Sequence, residues 1–257
     1  MGVGLGLSAW YAPCYYKSHL RTKYIIMNAK TISAAKANKL FWLGRYAERT
    51  YLNLHFLRAC YDKMIDGDSD AYNEYCDNLS LDADFNSSSN FVKSFLYDKQ
   101  NPFSISAELE FANDNAMVLR EEITSETLGY IQMSLAHINS LAKSNETHIT
   151  ELQPITDNLL SMWGSIEERV LNDYALAILM SGKMIEQIDI RVRFDYPFDR
   201  VELLYERLKT HLRYVPYIYD VEAVEQIDKM LTAKEYSHES FYKNRLLSLL
   251  NSIVSTN

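Results

Sequence analysis

Glu48 is the residue whose surroundings most call for a chemical account. At roughly 100° per residue, the side chains within about 40° of it are Ala37, Phe41, Gly44, Leu52, His55 and Ala59. That face is apolar or small apart from His55. Lys39, Tyr46, Thr50 and Asn53 occupy the opposite side and are expected to meet solvent. Glu48 is therefore predicted to point inward, with Arg45 one turn before it and Arg49 beside it. A buried carboxylate without a partner costs several kcal/mol, so Glu48 should be paired or protonated. Two chemistries fit such a cluster. Paired carboxylates can do acid/base work on an amide or ester. Alternatively, the charges form a buried ion network that fixes helix register.

The same face returns 138 residues later. Ala37, Phe41, Gly44, Glu48, Leu52 and His55 become Ala175, Leu179, Gly182, Glu186, Ile190 and Arg193, while Arg45 becomes Lys183 and Arg49 becomes Gln187. Glycine inside a helix costs about 1 kcal/mol relative to alanine. Two at equivalent places, Gly44 and Gly182, imply close helix approach. The expectation is two related helices about a pseudo-two-fold axis, with Glu48 and Glu186 near each other and Asp189 one turn away.

Other chemistries are thinly supported. One Glu-x-x-His occurs, at Glu235 and His238, but a di-metal bundle needs a second copy on another helix. His55 lies two turns from Glu48, about 10 Å along the axis, too far to share one ion. No metal and no cofactor are expected. Cys60 sits among Phe56, Leu57 and Met64 and reads as core, Cys76 lies on a short polar helix, and no G-x-S-x-G elbow occurs. Tyr214, Tyr217 and Tyr219 read either as half-buried core tyrosines or as a partner surface.

The elements that must carry these residues are helices. The 257 residues include 8 glycines and 5 prolines, too few for the turns of a sandwich, barrel or doubly wound sheet. Neither G-x-G-x-x-G nor a P-loop is present. The fold class is all-α, a bundle of six to nine helices with two related halves in one domain, 27–257. The first helix is predicted from a cap at Thr31 or Ser33 to Ile65, with Gly67 as its stop. Others run from Asp70 to Leu79, Phe91 to Tyr97, Ser104 or Ser106 to Glu122, Thr124 or Ser125 to Lys143, Trp163 to Phe194, and Ser237 to Val254. Pro197 and Pro216 suit the first turns of two more. Ser80 to Asn90 and Asn145 to Pro154 read as connections. Residues 1–26 differ in composition, and Met27 reads as the physiological start.

The net charge of −8 argues against a nucleic-acid partner. No apolar run reaches membrane-span length. Three cysteines without metal-type spacing point to a reducing, cytoplasmic compartment. A homo-oligomer is compatible with the sequence.

The run Phe41-Trp42-Leu43-Gly44-Arg45-Tyr46-Ala47-Glu48-Arg49 resembles the signature of the alpha-E family, bacterial helical proteins named for a Glu-Arg motif. Asn101-Pro102-Phe103-Ser104-Ile105 resembles its Asn-Pro-x-Ser-Ile element. Ala112, Asn115, Ala116, Arg120, Glu121 and Glu126 fit its central helical motif, and Gly182 to Arg193, with Glu186, Asp189 and Arg193, fits its second Glu-Arg helix. The similarity spans about Ser33 to Arg213. Departures are Gln187, His55, Asn113 and Met117, which thin the cationic set, and Leu128, which stands where the family usually has Trp. The resemblance implies an all-helical domain. It also implies work beside an ATP-grasp ligase-like or transglutaminase-like protein that makes or processes amide bonds. Under it, Arg45, Glu48, Arg49, Asn115, Arg120, Glu121, Glu126, Glu186, Asp189 and Arg193 are the binding candidates. The alternative is an enzyme in its own right.

Overall fold

The computed structural model describes residues 32–81, 85–144, 149–216, 218–232 and 240–254. The stretch 1–26, Met27, Thr31, Tyr217 and the Glu235/His238 pair lie outside the described residues.

Ser33 opens the first helix, its hydroxyl accepting from Lys36 N at 3.3 Å. The 32-residue α1 (Ala34–Ile65) follows, and the chain leaves it through Gly67 at φ 112°, a backbone state that glycine adopts without strain. Next come α2 (Ala71–Leu79), α3 (Ser88–Tyr97), α4 (Ile105–Val118), α5 (Arg120–Ile123) and α6 (Ser125–Leu141). After a 3-10 turn at Ile149–Leu152 come α7 (Gln153–Arg169), α8 (Asp173–Arg193), α9 (Phe198–Leu212), α10 (Val221–Thr232) and α11 (Ser240–Ser252). Among the described residues the fold is all-helical, with one isolated bridge between Tyr219 and Val254. None of these helices is long and apolar enough to cross a membrane.

Among the described residues eleven α-helices replace the six to nine expected, because two long stretches break. The predicted helix from Trp163 to Phe194 is two. Asn172 interrupts it, its Oδ1 accepting from Tyr174 N at 3.0 Å and Ala175 N at 3.2 Å, which caps α8. The stretch from Ser104 to Glu122 splits at Leu119, whose N–H is shared between the carbonyls of Asn115 and Ala116, both at 3.1 Å. Pro216 does not start a helix. Asp220 does, accepting from Glu222 N and Ala223 N at 2.8 and 3.2 Å.

α1 is the central element. It packs chiefly against α8 on one side and α4 on the other, with α9 behind α8 and the α6–α7 pair beside α4. Leu40, Leu43, Ala47, Leu54 and Leu57 are buried along it. This overturns the expected solvent stripe, since Thr50 and Asn53 are buried as well. The Thr50 hydroxyl donates to Tyr46 O at 2.8 Å, within the helix. On the other side His55 and Ala59 are exposed, beyond where the α1–α8 contact is closest. Cys60 and Cys76 are both buried, and burial pushes both thiols up to about 11, which leaves them inert.

Candidate functional site

Two glycines bring two helix backbones together. A Cβ on Gly44 would collide with the carbonyl oxygen of Leu179 and lie 3.1 Å from Lys183 N. A Cβ on Gly182 would collide with the carbonyl oxygen of Phe41 and lie 3.2 Å from Arg45 N. Leu179 and Lys183 stand 138 positions after Phe41 and Arg45, so each helix makes the same contact on the other. Phe56 and Phe194, also 138 apart, stack with ring centroids 4.2 Å apart. α1 and α8 therefore run parallel and in register at this offset. Small residues at the crossing let the long charged side chains one turn further on interleave.

At one end of that interleaving lies Glu186, 2% exposed. Arg45 Nε donates to its Oε2 at 2.6 Å, Arg49 Nε to its Oε1 at 2.6 Å, and Arg49 Nη2 to Oε2 at 3.0 Å. Burial opposes the charge on Glu186, but the two guanidinium groups outweigh it and hold the carboxyl at about 2. Arg45 also donates to Asn251 Oδ1 at 2.9 Å and approaches Asp189 at 3.5 Å. Asp189 in turn accepts from Arg193 Nε at 2.7 Å. Burial and the neighbouring Glu186 push the Asp189 carboxyl upward.

Glu48 occupies the equivalent place on the other helix and is 1% exposed. Its Oε1 accepts from Gln187 Nε2 at 2.6 Å, the counterpart of the Arg49–Glu186 contact. Its Oε2 has no partner. Lys183, which stands where Arg45 does, sits with its ammonium 4.1 Å from the centre of the Trp163 ring. Burial pushes the Glu48 carboxyl up, against the pull of Lys183, Gln187 and Arg191. One helix thus carries the charged half of the pair and the other a thinned copy.

Sequence reasoning missed Glu108. It is fully buried on α4, with Oε1 3.3 Å from Arg49 Nη1 and Oε2 unpartnered. Burial pushes it up to about 8 despite Arg49, so it is mostly protonated at neutral pH. The signal was present, because Glu108 shares a helix face with buried Ile105, Leu109 and Ala112.

The Glu186 end opens into a cleft of about 380 Å³. Arg45, Arg49, Glu186, Asp189, Arg193 and Asn251 form its polar floor, and Trp42, Tyr46, Phe103 and Phe111 its aromatic wall. Trp42 stacks on Tyr46 at 5.4 Å, and Tyr46 meets Phe111 at 5.2 Å. Among the described residues, no group of three or more His, Cys, Asp or Glu side chains converges as metal ligands do.

Five sequence candidates lie outside the cleft: Glu48, at the other end of the α1–α8 contact, and four more. Arg120 and Glu121 are exposed on the single turn of α5, and Asn115 is half-buried away from the cleft lining. Glu126 pairs at the surface with Arg169 at 3.1 Å. A short surface helix presents its charges to water, which is why Arg120 and Glu121 do not join the cluster. Tyr214 is exposed and Tyr219 half-buried, both away from the cleft.

Fold and site together define an all-helical protein organised around a Glu-Arg pair on its central helix. The chain belongs to the Alpha-E family, described as a predicted alpha-helical domain with a conserved ER motif, whose family model matches residues 33–237. No curated protein and no solved structure matches the chain.

Proposed function

We propose that this protein is an accessory module whose cleft docks a partner or peptide, without a catalytic carboxylate of its own. One observation carries the reading. The acidic groups that line the cleft, Glu186 and Asp189, are both held by guanidinium groups, at 2.6 Å from Arg45 and Arg49 and at 2.7 Å from Arg193. A carboxylate clamped this way is a poor general base, because taking a proton would break its ion pairs. What the cleft offers a visitor is unspent guanidinium donors and aromatic surface. In this reading the partner is an ATP-grasp ligase-like or transglutaminase-like protein, in the cytoplasm, that forms or processes amide bonds. We read α1 and α8 as the cores of two related halves, supported by the reciprocal glycine contact.

A second reading, an enzyme on an amide or ester, has one observation in its favour. Glu108 and Glu186 flank Arg49 with carboxyl groups pushed apart, to about 8 and about 2, and acid/base pairs show that pattern. Glu108, however, lies behind Arg49 and does not line the cleft.

Co-purification tests the two readings. The wild-type chain should recover the ligase-like or transglutaminase-like partner, and Trp42→Ala or Phe103→Ala should lose it with helical content unchanged. Amide turnover by the isolated chain, abolished in Glu108→Gln, would overturn the accessory reading.

A further inference from the structure

The occupant of the cleft can be narrowed by what its walls leave unsatisfied. Three guanidinium groups, Arg45, Arg49 and Arg193, face two carboxylates, Glu186 and Asp189, while the Glu108 carboxyl 3.3 Å behind Arg49 is pushed toward its neutral form by burial, so the floor carries a surplus of one positive charge. This surplus sits in a chain whose net charge is −8. Among the described residues Arg193 donates to Asp189, at 2.7 Å, and to Ser80, at 3.3 Å, which leaves much of its planar donor fork unused. Arg49 is about a fifth exposed, and one of its contacts, to Glu108 at 3.3 Å, is long. Such forks recognise a carboxylate in two-pronged fashion.

The second unsatisfied group is an acceptor. Asn53 lines the cleft one helical turn, about 6 Å along the axis, beyond Arg49. It is 2% exposed, and its Oδ1 has no hydrogen-bond partner. A buried acceptor left unmade carries a desolvation cost that a ligand N–H would recover. The third feature is the wall. Phe103 and Phe111 are 45% and 39% exposed, unusually so for large aromatic residues beside a charged floor.

The geometry points to the C-terminal end of a peptide chain as the occupant. Its free α-carboxylate meets Arg193 and Arg49, its last backbone N–H meets Asn53, and its apolar last side chain lies against Phe103 and Phe111. The anion, the adjoining donor and the apolar group belong to one residue, and consecutive Cα atoms are only about 3.8 Å apart. The cleft volume of about 380 Å³ is at the lower end for small-ligand sites and suits a chain terminus rather than a folded surface. This inference rests on the docking reading of the same cleft and names what docks.

Titration calorimetry on the full chain tests it with three probes. These are N-acetyl-glycyl-phenylalanine, its C-terminal amide, and the free acid N-methylated at the last peptide nitrogen. The free acid should bind, and amidation should weaken it more than about tenfold. N-methylation should weaken it about fivefold to tenfold. Arg193→Gln should reproduce the loss caused by amidation, and Asn53→Leu the loss caused by N-methylation. The probe series on wild-type protein keeps the test valid should either variant fail to fold. Equal binding of acid and amide, or no binding of the acid at millimolar concentration, overturns the inference. If the partner still co-purifies in that case, the docking reading stands without it. Binding of the acid followed by its turnover in the isolated chain would keep the terminus recognition and remove the docking reading.

Discussion

Glu48 and Glu186 occupy equivalent places on two parallel helices, yet their surroundings assign them opposite states. Glu186 is gripped by three guanidinium N–H bonds and held at about 2. Glu48 has one carboxamide bond, an orphan oxygen and a carboxyl pushed upward by burial. Backbone geometry is the same for both, since the glycine contacts are reciprocal. The difference lies in which cations stand at positions 45 and 49 and at their counterparts 183 and 187. Arginines at the first pair make a charged floor under an open cleft. Lysine and glutamine at the second leave a less charged end, in which Lys183 turns to Trp163. Helix packing therefore places the carboxylates, and the neighbouring residues decide how each one is held.

The comparison can be broken at several points. Glu186→Gln should have the largest effect, about 3–5 kcal/mol in chemical denaturation at neutral pH, because it leaves two buried guanidinium groups short of charge. Glu48→Gln should stay within about 1 kcal/mol of wild type. The sign with pH follows from the depressed carboxyl. The stability Glu186 contributes is complete above its ordinary 4.5 and is lost as pH falls toward about 2, so the gap between wild type and Glu186→Gln should close in acid.

Gly44→Ala and Gly182→Ala should each cost about 3 kcal/mol, and by similar amounts, because each Cβ meets backbone that cannot swing aside. Unequal costs would mean the crossing is less symmetric than its contacts. Glu108 gives an effect of comparable size and opposite pH dependence. Its carboxyl is raised, so the folded state holds a proton that the unfolded chain releases between its ordinary 4.5 and about 8. Wild type should lose roughly 2–4 kcal/mol across that window relative to Glu108→Gln. The smallest effect is the control for the glycine argument. Gly164, inside α7, has nothing within 4 Å of a built Cβ, so Gly164→Ala should stabilise by up to about 1 kcal/mol.

Much of this was legible in the sequence, and the gaps have physical causes. The all-α class followed from the shortage of glycine and proline. The inward Glu48 and its counterpart Glu186 followed from helical spacing, and the family match covers both helices. Periodicity describes one helix at a time, however, and the cleft is assembled from several. Phe103 and Phe111 come from the α4 region and Asn251 from α11, beyond the family match. Their meeting with Arg45 depends on tertiary packing that no local pattern encodes. Thr50 and Asn53 were misplaced for the same reason. α1 is covered on both sides, so an apparently polar stripe became a buried one. Asn172 shows the reverse, a local cap strong enough to break a helix that hydrophobic spacing alone carries through.

The most direct test is carbon-13 NMR titration of the two carboxyl groups in the intact chain. Glu186 should titrate near about 2 and Glu48 above its ordinary 4.5, with Gln187→Arg drawing Glu48 downward toward Glu186. Both carboxyls titrating together near the ordinary value, or Glu48 titrating below Glu186, would contradict the claim that the flanking cations set the two ends apart.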